Sequence, residues 1–151
     1  MGDLIIRKAV LPDAETMAEL DKICFADPWS TESFRSEIET NNRSLYQIAE
    51  MDGVFAGYAG LWKILDEGHI TNVAVAPEFR RRGIGEAMLT RLIELAEAED
   101  IMKFTLEVRI SNLQAQALYE KLGFEPAGLR KGYYLDNRED AVIMWRGERQ
   151  E

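Results

Sequence analysis

The chain reads as a single α/β domain with a mixed sheet, and three observations point to that class. An apolar run, Val73-Ala74-Val75, is closed by Pro77, and after a glycine-containing loop the apolar residues Met88, Leu89, Leu92, Ile93, Leu95 and Ala96 recur at helical spacing. A second strand-then-helix unit follows: Phe104 to Val108 alternates as a strand does, and Ala115, Leu118, Tyr119 and Leu122 form a helical stripe. Between Tyr46-Gln47-Ile48-Ala49 and Val54 to Trp62 stands Asp52-Gly53, the pair favoured in two-residue hairpin turns, so these segments are expected to pair antiparallel.

The remaining elements fall into place around these. Leu4-Ile5-Ile6 and the residues to Val10 form a first strand, and Pro12-Asp13 opens a helix carrying Ala14, Met17, Leu20 and Ile23. Ser30 is suited to cap a second helix through Phe34 and Ile38. A turn near Asp66-Glu67-Gly68 leads into the strand that ends at Val75, and the helix after the glycine loop runs from Glu86 to about Glu99. Ser111 or Asn112 caps the next helix, and Gly123 ends it. Phe124, Gly132-Tyr133-Tyr134 and Ala141 to Trp145 supply two last strands, with a turn at Asp136-Asn137-Arg138. The total is about seven strands and about four helices over residues 1–151.

Length and composition bound the function. At 151 residues, with 46% hydrophobic and 30% charged, the chain suits one globular domain, and no apolar run approaches the roughly 18 residues of a membrane span. No secretory leader is read at the N-terminus, and the lone Cys24 agrees with a reducing cytoplasm. The net charge of −9 argues against nucleic acid, whose non-specific binding depends on Lys and Arg. It suits a basic protein or peptide partner, or serves solubility alone.

The loop Arg80-Arg81-Arg82-Gly83-Ile84-Gly85 before a helix suits an anion. The first N–H groups of a helix lack partners within it and lie at the positive end of its dipole, and glycines keep the approach clear. Three arginines add planar donors. A nucleotide-triphosphate loop would need Lys and then Ser or Thr after its last glycine, where Glu86 and Ala87 stand. A dinucleotide fingerprint wants Gly or Ala where Met88 stands. The bland alternative is a glycine-capped helix start under a solvated basic loop.

Arg80-x-x-Gly83-x-Gly85 after a short strand closely resembles the acetyl-CoA signature of the GNAT superfamily of N-acetyltransferases. Leu106-Glu107-Val108-Arg109, Ser111-Asn112, Leu118-Tyr119 and Gly123-Phe124 resemble its second conserved stretch. Phe25-Ala26-Asp27-Pro28-Trp29-Ser30, Tyr133-Tyr134 and Arg138-Glu139-Asp140-Ala141 are similar to the bacterial ribosomal-protein alanine N-acetyltransferases within it, with Asp27 before Pro-Trp-Ser as a departure at the acceptor pocket. The resemblance covers nearly the whole chain.

It implies the GNAT fold, a mostly antiparallel sheet of mixed sense, with acetyl-CoA as co-substrate and no metal. It implies that Val73, Ala74 and Val75 bind the pantetheine arm through their backbone, on a strand that parts from its neighbour, and that Val75 offers an amide to the thioester oxygen. Arg80 to Glu86 would hold the pyrophosphate, Asn112 would contact the arm, and Trp29, Tyr133 and Tyr134 would line the acceptor pocket. Glu107 would be general base and Tyr119 general acid, in acetyl transfer to a protein N-terminal α-amine. The target the resemblance implies is the N-terminal alanine of the eighteenth protein of the small ribosomal subunit. Lysines and small amines are the acceptors of other relatives, and a non-catalytic acyl-CoA-binding module would share the loop. From the residues themselves, Glu107 among apolar neighbours is expected to hold its proton more tightly than usual, or to pair with Arg109 on a solvated strand face. The helical spacing of Tyr119 by itself reads as core. Cys24 and His69 are expected to be structural.

Overall fold

The computed structural model describes residues 2–147; residues 1 and 148–151, the ends of the expected domain, lie outside them. The elements follow in the order β1 (Leu4–Lys8), α1 (Asp13–Cys24), α2 (Thr31–Glu39), β2 (Ser44–Met51), β3 (Val54–Ile64) and β4 (Glu67–Val75), then a 3₁₀ turn at Pro77–Phe79. They continue with α3 (Ile84–Glu97), β5 (Lys103–Arg109), α4 (Leu113–Lys121), β6 (Glu125–Arg130) and β7 (Ala141–Gly147). The seven strands form one sheet in the order β1-β2-β3-β4-β5-β7-β6, antiparallel everywhere except between β4 and β5.

Local chemistry sets most boundaries as expected. Asp52 and Gly53 both have positive φ, at 54° and 81°, the backbone a two-residue hairpin with right-handed twist requires, so Met51 pairs directly with Val54. Ser30 accepts the Ser33 amide at 3.1 Å to cap α2, and Asn112 accepts the Ala115 amide at 3.0 Å to cap α4. α1 starts at Asp13, whose carboxylate takes both terminal nitrogens of Arg7 at 2.8 and 2.9 Å, while Arg7 also reaches Glu50. One guanidinium thus ties β1, α1 and β2.

Several expectations differ, β1 among them, which ends at Lys8 rather than Val10. The turn after β3 falls at Leu65-Asp66, with β4 already begun at Glu67, and α3 begins at Ile84 rather than Glu86. Gly132-Tyr133-Tyr134 is not a strand. The strand that pairs with β7 is Glu125–Arg130, and the chain leaves it into a loop that turns at Gly132, where φ is 60°.

Helices cover both faces of the sheet. On one face Ile84, Met88, Leu89, Leu92, Ile93 and Ala96 of α3 pack on Ala56, Leu61, Phe104, Leu106 and Met144, with Ala115, Tyr119 and Leu122 of α4 against the same cluster. On the other, Ala14, Met17, Ala18 and Leu20 of α1 and Phe34 of α2 pack on Tyr46, Ile48 and Tyr58. Tyr46 lies flat across Gly60, its register partner on β3, so closely that a Cβ there would sit 2.2 Å from the ring. Gly60→Ala is therefore expected to displace Tyr46 and cost about 1–3 kcal/mol, read from denaturant unfolding.

Candidate active site

β4 and β5 stay paired for only three residues, Glu67 to His69 against Lys103 to Thr105. Beyond His69 the two strands part: β4 remains bonded to β3 as far as Val75, and β5 to β7 as far as Arg109. The V between them opens into a cleft of about 650 Å³. Asn72 and Val73 line one side, Glu107 to Arg109 the other, and Asn112 and Tyr119 close it from α4. Trp29, Tyr133 and Tyr134 stand on the same cleft.

The glycine loop sits past the end of β4 at the start of α3. Gly83, at φ 77°, is the cap residue, and Ala87 donates the first intrahelical bond back to it, so the amides of Ile84, Gly85 and Glu86 precede the helix ladder. Arg81 also has positive φ, 64°. The arginines differ: Arg80 turns back, its Nε donating to the Val75 carbonyl at 3.0 Å and Nη2 to Cys24 Sγ at 3.3 Å, while Arg82 lies over Phe79. Glu86 is drawn aside by Lys121 at 3.0 Å. A Cβ on Gly85 would meet only Val75 and Leu118 at ordinary contact distance, so the protein itself has room for a side chain there.

Glu107 projects from the face of β5 opposite Leu106 and Val108 and is largely covered. His69 meets one carboxylate oxygen at 2.9 Å, and Arg130 donates to the other at 3.2 Å. The hydrogen bond from His69, aided by Arg130, outweighs burial and holds the carboxyl below its usual range, the reverse of the sequence-based expectation. The expected Arg109 pairing is absent too. Arg109 instead clasps the loop after β6: Nη2 donates to Asp136 at 3.0 Å, Nη1 to Glu139 at 3.1 Å, and its Cζ lies over the Tyr134 ring, 4.0 Å from the centroid. Hydrogen bonds from Ser111, with Arg109 beside it, hold Glu139 down at about 2.

Tyr119 packs edge-on against Phe124, and burial pushes its phenol up to about 12, so it holds its proton throughout the neutral range. Asn112 spends its side-chain oxygen on the α4 cap. Two residues expected to be structural line the cleft instead, His69 and Cys24, with burial pushing the Cys24 thiol up.

Asp21 escaped the sequence reading. Only 1% exposed, it accepts the Tyr58 hydroxyl and, at 2.9 Å, the Trp29 amide, while Asn72 donates to the same hydroxyl at 3.2 Å. Burial pushes its carboxyl up. The available signal was an acid continuing the Ala14, Met17, Ala18 stripe into position 21, where a core residue belongs. Among the described residues no three His, Cys, Asp or Glu side chains cluster as a metal site, and no helix is long and apolar enough to cross a membrane.

The clasp can be tested directly. Arg109→Met keeps the aliphatic bulk but removes the donors, so the Tyr134 amide, bonded to the Glu139 carbonyl at 3.1 Å, is expected to exchange its hydrogen at least about tenfold faster. Amides of α3 are expected to exchange at the parent rate.

Comparison with known proteins agrees with this geometry. The profile of the acetyltransferase (GNAT) family matches residues 14–124. A Bacillus subtilis (strain 168) protein, provisionally named a [ribosomal protein bS18]-alanine N-acetyltransferase, is 42% identical over 93% of both chains. The Escherichia coli (strain K12) [ribosomal protein bS18]-alanine N-acetyltransferase is 39% identical over 87% of this chain and 89% of its own. The crystal structure of the ribosomal-protein-S18-alanine N-acetyltransferase from Escherichia coli superposes with a TM-score of 0.88 at 35% identity, covering 99% of this chain and 96% of that one. The strand–loop–helix unit, the parted strands and these relatives lead to one assignment: the chain belongs to the acetyltransferase (GNAT) family.

Proposed function

We propose that the protein transfers the acetyl group of acetyl-CoA to the N-terminal α-amine of a protein, the alanine that begins ribosomal protein bS18 being the preferred acceptor. The observation that carries this reading is the V between β4 and β5, which brings the carboxylate of Glu107 and the phenol of Tyr119 to one cleft. The names of the bS18-alanine relatives support the acceptor. A ribosomal acceptor places the reaction in the cytoplasm, where a lone cysteine stays reduced.

In this reading the pyrophosphate rests on the amides at the start of α3, among the positive charges of Arg80 to Arg82. The pantetheine arm runs along the backbone of Val73, Ala74 and Val75 past Asn112, and the Val75 amide receives the thioester oxygen. Trp29, Tyr133 and Tyr134 shape the acceptor entrance. The amine nitrogen attacks the thioester carbon, the carbonyl oxygen takes the negative charge, and the C–S bond breaks. The Glu107 centre removes the ammonium proton, and Tyr119 gives a proton to the departing thiolate, which its raised phenol can still do at pH 9. An α-amine suits a modest base: with an ordinary pKa of 7.7–8.0, roughly 10% is neutral at pH 7, against about 0.04% of a lysine.

Three variants test the reading. Gly85→Ala lies inside a helix with room for its methyl group, so it is expected to leave the melting temperature unchanged or raise it while weakening calorimetric acetyl-CoA affinity; unchanged affinity would remove the loop from the cofactor site. Glu107→Gln is expected to slow acetyl transfer by roughly 10² to 10⁴ at pH 7, the usual worth of base catalysis, with the defect shrinking toward pH 9.5 as the amine loses its proton unaided. Tyr119→Phe is expected to keep its defect across that range. Pre-steady-state CoA release distinguishes the two profiles, and parallel profiles would refute the separate roles.

A further inference from the structure

His69 sits at the crotch of the V. It is the last residue of β4 paired with β5, opposite Thr105, and it shares a face with Glu107 two residues further along β5. Both side chains line the cleft, and His69, 33% exposed against 11% for Glu107, is the more open of the pair. Both Glu107 oxygens are engaged, one by His69 and one by Arg130.

The chemistry of the 2.9 Å contact settles the tautomer. A carboxylate held ionised by two donors can only accept, so His69 Nε2 carries the hydrogen and a neutral imidazole keeps its lone pair at Nδ1. We propose that His69 Nδ1 is the atom that takes the proton of the acceptor amine, directly or through one water, and that Glu107 fixes the tautomer and stabilises the resulting imidazolium. The step balances simply: ammonium and neutral imidazole become amine and imidazolium, and the free amine attacks the thioester. This rests on the acetyl-transfer reading and divides its base between two residues.

Proton affinity tells against the carboxylate as the direct acceptor. An ordinary carboxylate near 4.3 lies about 3.5 below an α-amine. Binding His69 and Arg130 moves Glu107 further from the amine still. The other groups around the imidazole do not compete. Tyr133 and Tyr134 have their phenols pushed up by burial and stay neutral. Arg109 is occupied by Asp136 and Glu139, and Asp21 is locked on Tyr58 and Trp29. Arg130 bonds Glu107 and carries no base.

The two assignments predict different effects of removing His69. If Glu107 were the proton acceptor, His69→Gln, whose side-chain amide can still donate to that carboxylate, would leave the enzyme about as fast as the parent at pH 7. With His69 as acceptor, His69→Gln is expected to slow single-turnover transfer to an alanine-starting peptide by at least about tenfold at pH 7, with the gap closing toward pH 9.5 and calorimetric acetyl-CoA affinity unchanged. His69→Asn, measured alongside, guards against local misfit. The double variant His69→Gln with Glu107→Gln is expected to be no more than about twofold slower than the slower single variant, because the pair acts as one device. A parent-like rate for both His69 variants, a gap that stays constant with pH, or defects that multiply would overturn the assignment while leaving acetyl transfer intact. Failure of the parent chain to acetylate any peptide would bring down the underlying reading instead.

Discussion

The separation of β4 from β5 after His69 is the constraint on which the site depends. Three paired residues hold the strands together at one end, and from there each keeps a different neighbour, β3 for β4 and β7 for β5. The cost is a set of backbone groups left without sheet partners, which a folded protein tolerates only where water or a ligand can serve them. The benefit is a cleft whose sides are two well-anchored strands. α3 packs under the sheet on Ala56 and Leu61 of β3 and Phe104 and Leu106 of β5, residues from both sides of the V.

The cleft and the loop beyond β4 are built by different means. The loop presents backbone: the turn at Arg81 and Gly83, and the first amides of α3. The cleft presents side chains held by buried or clasped charge. Asp21 fixes Trp29 and Tyr58, and Arg109 fixes the loop that carries Tyr133 and Tyr134. The loop and α1 are joined by Arg80, whose guanidinium reaches the Val75 carbonyl and Cys24 Sγ. Glu107 stands inside the cleft, its carboxylate shared between β4 through His69 and β6 through Arg130.

Local signals made most of the fold legible in the sequence. Asp52-Gly53, Ser30, Asn112, Gly123 and the α3 stripe each act over a few residues, and each lies where the sequence placed it. Tyr133-Tyr134 went astray because aromatic residues favour strands, whereas a guanidinium arriving from Arg109, 25 residues earlier, holds Tyr134 in a loop. The site was legible as residue types rather than as contacts. Glu107 alternates between buried apolar neighbours and so reads as desolvated, but its environment is set by His69 and Arg130, 38 and 23 residues away. No periodicity reports such a distance. The burial of Asp21 was readable from its helix stripe, although its partners on Tyr58 and Trp29 were not.

The unpaired side of β4 from Ile70 to Val75 is a strand edge, yet it faces inward. Exposed edges are where sheets of separate molecules join, and many proteins blunt theirs with prolines, bulges and charge. Here the opposing wall of β5 does that work by exclusion. β5, with β7 beyond it, stands across the cleft from this edge, whereas the outer rims of the sheet are β1 and β6. The fold thus holds an unpaired strand edge in the middle of its sheet, away from the rims where the sheet of another molecule could add.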